Sequence, residues 1–442
     1  MSHSVTSFVC TIESLGFSGE GICRHEGQVV FVPHALPGET VEIQIIKQRK
    51  QFAFAMVLQL IHPSKERVQP ICSHFYRCGG CAAQHMTYET QLLFKQLGIQ
   101  ENLRRIANTA LQAKPVIGMD IPLNYRNKTT WKVALIKDTA FAGFFAPGSH
   151  ELVPVDTCYI ASESSNQTKN AVVRWLNHCL KTGILQNTLP IDQFTTRTNQ
   201  SGELVLILQL TSSELPLADE LIHQLQQSVQ KLLCVCTVND CKRVQVLYGQ
   251  PLLKESVLGV SFQLSPFSFF QVNYKVCEQM YAYAIKQAVT DHNDVLIDLY
   301  SGIGTIGLIA AGSCKKVIGI ERNEGAVLDA RQNAAMNQIS NAVFHAGEAE
   351  AILPRLVAGG LHADAVILDP PRKGAHRKVL EAIVQTQPQR IVYISCHPAS
   401  QARDAAVLAE MGYPAVASQP FDMFCQTAEV ENVMTFVKKS VD

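Results

Sequence analysis

The chain has 442 residues, enough for two or three folded units, and its 47% hydrophobic and 17% charged content supplies real cores and excludes disorder. No uncharged apolar run reaches the roughly 18 residues of a spanning helix, and Met1-Ser2-His3-Ser4 lacks the basic start and apolar core of a secretion signal. A cytoplasmic location is expected, in which the 14 cysteines are thiols, metal ligands or catalytic groups rather than a disulfide frame. Net charge is zero, yet Lys47–Lys132 holds 13 Lys and Arg against 4 Asp and Glu. Such a zone can meet phosphates, and a solvated basic surface explains it equally well.

Residues 1–62 read as short strands, Ser4–Glu13, Gln28–Pro33, Thr40–Ile46 and Phe52–Leu60, punctuated by Gly16, Gly19, Gly21, Gly27 and Pro37-Gly38. Strands so short and close point to a small β-barrel, an architecture often used on RNA, although a generic β domain has the same pattern. A cysteine-rich segment comes next. Then Leu92, Leu93, Leu97, Leu103 and Ile106 recur at helical spacing, predicting an amphipathic helix near 90–110 that packs on the catalytic domain. The stretch 63–265 is otherwise a mixed α+β central domain. Trp131–Ile136, Leu204–Gln209 and Arg243–Tyr248 read as strands, Ala171–Leu180 and Leu217–Leu233 as helices.

From 266 to 442 the order becomes strand–helix repeats. Asp294–Asp298, Lys316–Glu321, Ala365–Leu368 and Arg390–Ser395 are apolar runs fit for buried parallel strands. They alternate with helical segments Val272–Val289, Ala326–Gln338, His376–Thr386 and Pro398–Glu410. This predicts a Rossmann-like, doubly wound α/β sheet. Its first strand runs into Asp298-Leu299-Tyr300-Ser301-Gly302-Ile303-Gly304, a turn that lets a ligand approach the backbone, and the second ends in Glu321, placed to bond a ribose. Gly307 falls where a dinucleotide site has its third glycine, so this motif alone leaves NAD open. Asp369-Pro370-Pro371-Arg372, at the end of a later strand, narrows the choice. Prolines fix the loop, and an acidic-Pro-Pro segment in methyltransferases holds a planar acceptor beside the methyl donor.

The next strand ends at Cys396-His397-Pro398. A cysteine at a carboxyl strand end lies where open α/β sheets bind ligands, and a following helix N-terminus favours its thiolate. Most lone cysteines are inert core residues; the position argues otherwise here. Thiolate addition to C6 of a uracil makes C5 a carbanion equivalent that can take a methyl group. A base must then remove the C5 proton. Glu431, in Glu429-Val430-Glu431-Asn432, is the carboxylate chosen for that base, against the plainer reading of an exposed strand-edge glutamate.

With these residues assembled, the chain resembles the RNA (uracil-C5-)-methyltransferases. The matching pieces are Phe269-Phe270-Gln271-Val272-Asn273, Asp298–Gly304, Asp369-Pro370-Pro371-Arg372-Lys373-Gly374, Ser395-Cys396-His397-Pro398 with Ala402-Arg403-Asp404, and Asp422-Met423-Phe424 leading to Glu431. The resemblance implies S-adenosyl-L-methionine as methyl donor, held by Gln271, Tyr300, Glu321 and Asp369 with Glu348 near the adenine. It implies Cys396 as nucleophile and Glu431 as proton acceptor. The front extends it. Cys72-x5-Cys78-Gly79-Gly80-Cys81 with distant Cys158 looks like the 4Fe-4S site of the bacterial 23S ribosomal RNA members, although four thiolates also bind zinc. Residues 1–62 resemble the TRAM domain, an RNA-binding barrel. Transfer RNA members are expected to lack barrel and cluster, which favours 23S ribosomal RNA. The implied partner is RNA, with neither membrane nor DNA, for a monomer. Ser301, His397, Glu429 and Glu348 depart from the residues usual at their positions (Cys, Asn, His and Asp). Two other readings stay open: the same reaction on a transfer RNA uridine, and a non-catalytic RNA-binding iron–sulfur protein.

Overall fold

The computed structural model describes residues 7–186, 188–239 and 243–439. Met1–Ser4, and with it the start of the first expected strand, lies outside them. Six strands make the N-terminal unit: β1 (Ser7–Thr11), β2 (Ser14–Leu15), β3 (Gly21–His25), β4 (Gln28–Val32), β5 (Thr40–Gln48) and β6 (Phe52–His62). They pair in the order β1-β5-β6-β4-β3-β2. Alternate residues point inward, so Cys23, Val30, Val32, Val41, Ile43, Ala53 and Ala55 fill one small core. Glu39, fully buried, ties this unit to the segment after β6. Its carboxylate accepts from Arg67 Nε at 2.5 Å and Nη2 at 2.7 Å, and from the Leu36 N–H at 2.8 Å.

The cysteine-rich loops lead into α1 (Tyr88–Arg105), capped at Thr87, whose side chain accepts from the Thr90 N–H. The expected apolar face is not the buried one. Gln91, Lys95, Ile99, Asn102 and Leu103 are buried, while Leu93 and Leu97 are exposed. The reason is what α1 packs on. It lies against the 422–426 loop and presents polar groups to it: Lys95 Nζ meets Asp422 Oδ1 at 2.5 Å, Tyr88 donates to Asp422 Oδ2 at 2.7 Å, and Gln91 Nε2 donates to Gln426 Oε1 at 3.0 Å. Residues 114–117 then run along the last sheet, with the Lys114 and Ile117 N–H groups donating to Ser418 and Pro420 carbonyls at 3.0 Å each.

The central sheet is built from β7 (Lys128–Ile136), β8 (Thr139–Phe145), β9 (Leu152–Pro154), β10 (Ile191–Thr198), β11 (Leu204–Leu210), β12 (Leu232–Val238) and β13 (Val244–Gly249), in the order β13-β12-β11-β10-β7-β8-β9. Helices α2 (Glu163–Lys181) and α3 (Ala218–Ser228) cover one face, around Trp131, Trp175, Phe194 and Leu206. The helix expected over Leu217–Leu233 is therefore shorter. Leu232 and Leu233 open β12, and an apolar run of this length does not by itself separate helix from strand. The other face of the sheet is not a domain surface. Val205, Ile207, Cys234 and Cys236 belong to the same core as Phe262, Met280 and Leu296, so one apolar interior crosses residue 265.

After the hairpin β14 (Leu253–Val257) and β15 (Val260–Leu264) comes the Rossmann-like unit. Its strands are β16 (Val295–Leu299), β17 (Lys316–Glu321), β18 (Ala342–Ala346), β19 (Ala365–Leu368), β20 (Arg390–Ser395), β21 (Ala415–Phe421) and β22 (Glu431–Val437). Its helices are α4 (Tyr274–Ala288), α5 (Thr305–Ala310), α6 (Glu324–Met336), α7 (Ala349–Ala358), α8 (Arg377–Gln385) and α9 (Pro398–Glu410). The order is β18-β17-β16-β19-β20-β22-β21. Five strands are parallel, the four expected from the apolar runs and β18, which no such run announced; β22 enters antiparallel beside β20 and pairs with β21. Residues such as Leu296, Ile297, Val366, Ile367 and Val392 have no exposure. Cutting one of them to alanine costs about 2–5 kcal/mol, so the strand ends that carry the site are held by a stiff core. Among the described residues no helix is long and apolar enough to cross a membrane.

Candidate active site

The turn after β16 is shaped by left-handed backbone. Tyr300 has φ +62°, Gly302 +53° and Gly304 +79°. A tyrosine in that region is strained; here the Tyr300 and Ser301 N–H groups both donate to the Ile320 carbonyl, at 2.9 and 3.1 Å, and hold it. Asp298 lies buried beneath, accepting from the Gly307 N–H at 2.9 Å, and burial pushes its carboxyl up to about 7. Glu321 closes the other side. One oxygen accepts from the Gly302 N–H at 3.1 Å, the other from the Asn323 N–H at 2.7 Å. Gly319 cannot carry a side chain, because a Cβ would stand 2.3 Å from the Phe344 ring. Glu348 sits at the surface near Arg322, 3.7 Å away. Gln271 is buried at the approach to α4, and its carbonyl accepts from Asn127 Nδ2 at 2.9 Å.

Asp369 directly follows β19 and is pushed up to about 7 by burial. The following loop is locked. Gly374 has φ +85° where a Cβ would hit Arg403 and Asp404 at 2.5 Å, and Asp404 accepts from the Ala375 N–H at 2.8 Å and from the Tyr393 hydroxyl at 2.7 Å. Cys396 follows β20. The β20–β22 register pairs Ser395 with Asn432, so the next residues of each strand, Cys396 and Glu431, come opposite one another. The antiparallel strand is what brings them together. Burial pushes the Cys396 thiol up to about 12, with Glu431 and Asp369 adding to the rise and Arg372 opposing it. Glu431 is only 4% exposed, not a surface glutamate, and one of its oxygens has no hydrogen-bond partner. Burial, then Asp369, raises its carboxyl well above the usual range.

His397 caps α9. Its Nδ1 accepts from the Ser400 N–H at 3.2 Å, the task a shorter polar cap performs elsewhere. Ser400 Oγ donates to the Arg372 carbonyl at 2.9 Å, joining the cap to the Asp369 loop. Arg372 Nη2 in turn meets both oxygens of Glu429, at 3.0 and 3.1 Å.

Cys396, Arg372 and Glu429 line a cleft of about 690 Å³ that also touches Phe17, Lys95 and Arg126. Phe17, on the turn between β2 and β3, is 66% exposed. Sequence reasoning passed over it; an aromatic residue inside a glycine-rich turn, where nothing local buries it, was the available signal. Behind the cleft, Cys72, Cys78, Cys81 and Cys158 all line a second cavity of about 370 Å³. Gly80, Cys81 and Arg126 border both. Burial pushes the Cys78, Cys81 and Cys158 thiols up, Cys81 to about 12. Hydrogen bonds from the Gly80 N–H, the Gln84 side chain and the Ile160 and Ala161 N–H groups oppose that rise. Among the described residues, no three His, Cys, Asp or Glu side chains converge as ligands of a single metal ion.

The chain matches known proteins over nearly all of its length. Residues 87–439 match the family described as tRNA (Uracil-5-)-methyltransferase, and residues 10–58 match the TRAM domain. An uncharacterized RNA methyltransferase of Caldanaerobacter subterraneus subsp. tengcongensis is 38% identical over 438 residues, covering 96% of each chain. One from Listeria innocua is 34% identical over 446 residues, covering 97% of each. Among solved structures, the Pyrococcus abyssi tRNA (uracil-54, C5)-methyltransferase in complex with S-adenosyl-L-homocysteine superposes with a TM-score of 0.76 at 23% identity, over 97% of this chain and 100% of that one. The chain therefore belongs to the tRNA (uracil-5-)-methyltransferase family, with RNA methyltransferases among its relatives, and carries a TRAM domain ahead of the methyltransferase fold.

Proposed function

We propose that this protein methylates carbon 5 of a uridine in 23S ribosomal RNA, with Cys396 as nucleophile and Glu431 as the base. The observation that carries the reaction is the facing placement of Cys396 and a buried Glu431, one oxygen of which has no hydrogen-bond partner, across the β20–β22 pairing, one loop from Asp369. S-adenosylmethionine supplies the methyl group as an electrophilic sulfonium. On this reading Gln271, Tyr300, Glu321 and Asp369 hold the donor, with Glu348 at the rim near its adenine.

The Cys396 sulfur, once deprotonated, bonds to C6 of the uracil and leaves electron density on C5. That carbon takes the methyl group. Glu431 then accepts the C5 proton, the C5–C6 double bond re-forms and the sulfur leaves. The buried Glu431 suits the step: with a raised pKa it is a stronger base than a surface carboxylate. Phe17 and the exposed Arg372 at the cleft rim would receive the flanking RNA, since an aromatic face stacks any base.

Cys72, Cys78, Cys81 and Cys158 fit a 4Fe-4S cluster. The four thiols face one cavity, three receive hydrogen bonds, and the nearby Arg126 is a cation. A cluster there would join the cysteine-rich loop to the start of α2 and stiffen the wall shared with the cleft, a structural or RNA-positioning part.

The ribosomal target rests on the cysteine pattern. The barrel does not support it by itself, because the Pyrococcus abyssi enzyme, named for a transfer RNA uracil, superposes over 97% of this chain. A transfer RNA uridine is thus the second reading. Mapping 5-methyluridine in total RNA with and without the gene tests both. Loss at a 23S position is expected. Loss only in transfer RNA overturns the target, and no loss anywhere overturns the enzyme in favour of an RNA-binding protein.

A further inference from the structure

Arg372 is the cation that faces the Cys396 sulfur, and Glu429 occupies it. The groups around the thiol come from several elements. Glu431 begins β22, Asp369 and Arg372 lie in the loop after β19, and Glu429 stands on the loop before β22. His397 on the α9 cap has its Nδ1 engaged by the Ser400 N–H, and Lys95 of α1 is matched by Asp422. Arg126 borders the far wall. The Arg372–Glu429 pair stands at the open side, with its side chains 64% and 44% exposed. An ion pair this exposed holds weakly. The Arg372 backbone, by contrast, is fixed by the Ser400 hydroxyl. The guanidinium can therefore change partners without moving the loop that carries it.

We propose that Glu429 is a positioning residue: in the free protein it holds the Arg372 guanidinium across the mouth of the Cys396 cleft, and a phosphate of the entering RNA takes that guanidinium from it. A phosphate offers two anionic oxygens to the guanidinium fork, as a carboxylate does, and carries its charge on the strand that must enter. The exchange would favour polynucleotide over free uridine, which brings no phosphate. It would also leave the nucleophile, in the absence of RNA, beside an arginine already neutralised and three carboxylates. There burial and those charges keep the sulfur protonated. The inference rests on the reading of the cleft as a uridine site.

The test uses the full chain and two readouts that need no methyl transfer: affinity for a fluorescent oligouridylate, and the rate at which iodoacetamide alkylates Cys396 at fixed pH. Glu429→Gln should bind the oligonucleotide about twofold to fivefold more tightly, the factor an exposed ion pair carries, and should alkylate faster. Arg372→Gln should bind more weakly. Adding Glu429→Gln to Arg372→Gln should then leave the affinity unchanged, because Glu429 acts on binding through Arg372, while alkylation still quickens through the direct effect of Glu429 on the thiol. Glu429→Asp, which can keep the pair, should stay near the parent. Two results overturn the proposal: Glu429→Gln matching the parent in both readouts, or the same tightening in the Arg372→Gln background, which would be plain charge repulsion. Failure of the methylation reading would show separately, as an absence of 5-methyluridine with both readouts intact.

Discussion

The molecule holds two sets of cysteines on opposite sides of one thin wall, and their surroundings differ in kind. Of the four thiols of the inner cavity, Cys78, Cys81 and Cys158 receive hydrogen bonds from N–H groups and a glutamine, with Arg126 close by. Cys396, on the outer side, faces Glu431, Asp369 and Glu429, with Arg372 alone opposing them. Donors aimed at sulfur favour the permanent anions that a cluster or metal requires. Carboxylates around a buried sulfur favour a thiol that ionises only when substrate changes its surroundings. On the proposed reading, the same residue type serves ligation in one cavity and a transient bond in the other.

The sharpest way to break this contrast is at the nucleophile. Cys396→Ala should remove methyl transfer by about four orders of magnitude or more, while binding of S-adenosylhomocysteine, measured by calorimetry, stays unchanged. Residual turnover near the parent rate would sink the thiolate mechanism. Glu431→Gln should instead stall after methyl transfer, leaving a protein–RNA adduct that survives denaturing electrophoresis.

Next in size is the inner set. Anaerobically purified protein should be brown and contain iron. Cys81→Ser should lose both colour and iron, and should lower the melting temperature, since ligation energy is folding energy. Stoichiometric zinc in the parent would make the inner cavity a different kind of site. Smaller is the effect at the rim. Phe17→Ala should lower kcat/KM on RNA about tenfold, within the range of one base–aromatic stack, with Phe17→Trp close to the parent and the melting temperature unmoved.

The last concerns Asp298, buried on the donor side. Its folded pKa of about 7 exceeds the ordinary 3.8, so the folded chain binds this proton more tightly than the unfolded one. Its contribution is therefore favourable at low pH and is lost as pH rises from about 4 to about 7. Asp298→Asn keeps an acceptor for the Gly307 N–H and removes the charge. It should raise stability by about 4 kcal/mol at pH 8 and by almost nothing at pH 4, as read from denaturant melts at the two pH values. An equal gain at both pH values would mean that burial of the charge is not the cause.

How much of the site was legible in the sequence depends on a physical divide. The glycine turn, Asp369 and Cys396 each sit on a strand–turn–helix unit whose signals are local: an apolar run, a breaker, a cap. Those could be read directly. The insertion of β22 could not, because a short apolar strand carries no mark of its direction, and that direction alone sets Glu431 opposite Cys396. The α1 face was misread for a related reason. Periodicity finds apolar stripes, whereas Lys95 is buried by a carboxylate 327 positions away. The reversal in α1 and the Arg372–Glu429 pair both depend on contacts between distant segments. One apolar cluster also runs across residue 265, from Val205 and Cys234 to Met280 and Leu296, a continuity that no local run in the sequence displays.

The contact between Lys95 and Asp422 also constrains how this protein can change over generations. Neither side chain is exposed at all. Losing one alone leaves a charge stranded in a dry interface, at a cost of about 3–5 kcal/mol, whereas replacing both by apolar residues can be neutral. The two positions are therefore bound to one another in inheritance: a lineage can keep both or exchange both, but the single-step intermediates are the least stable sequences on either route.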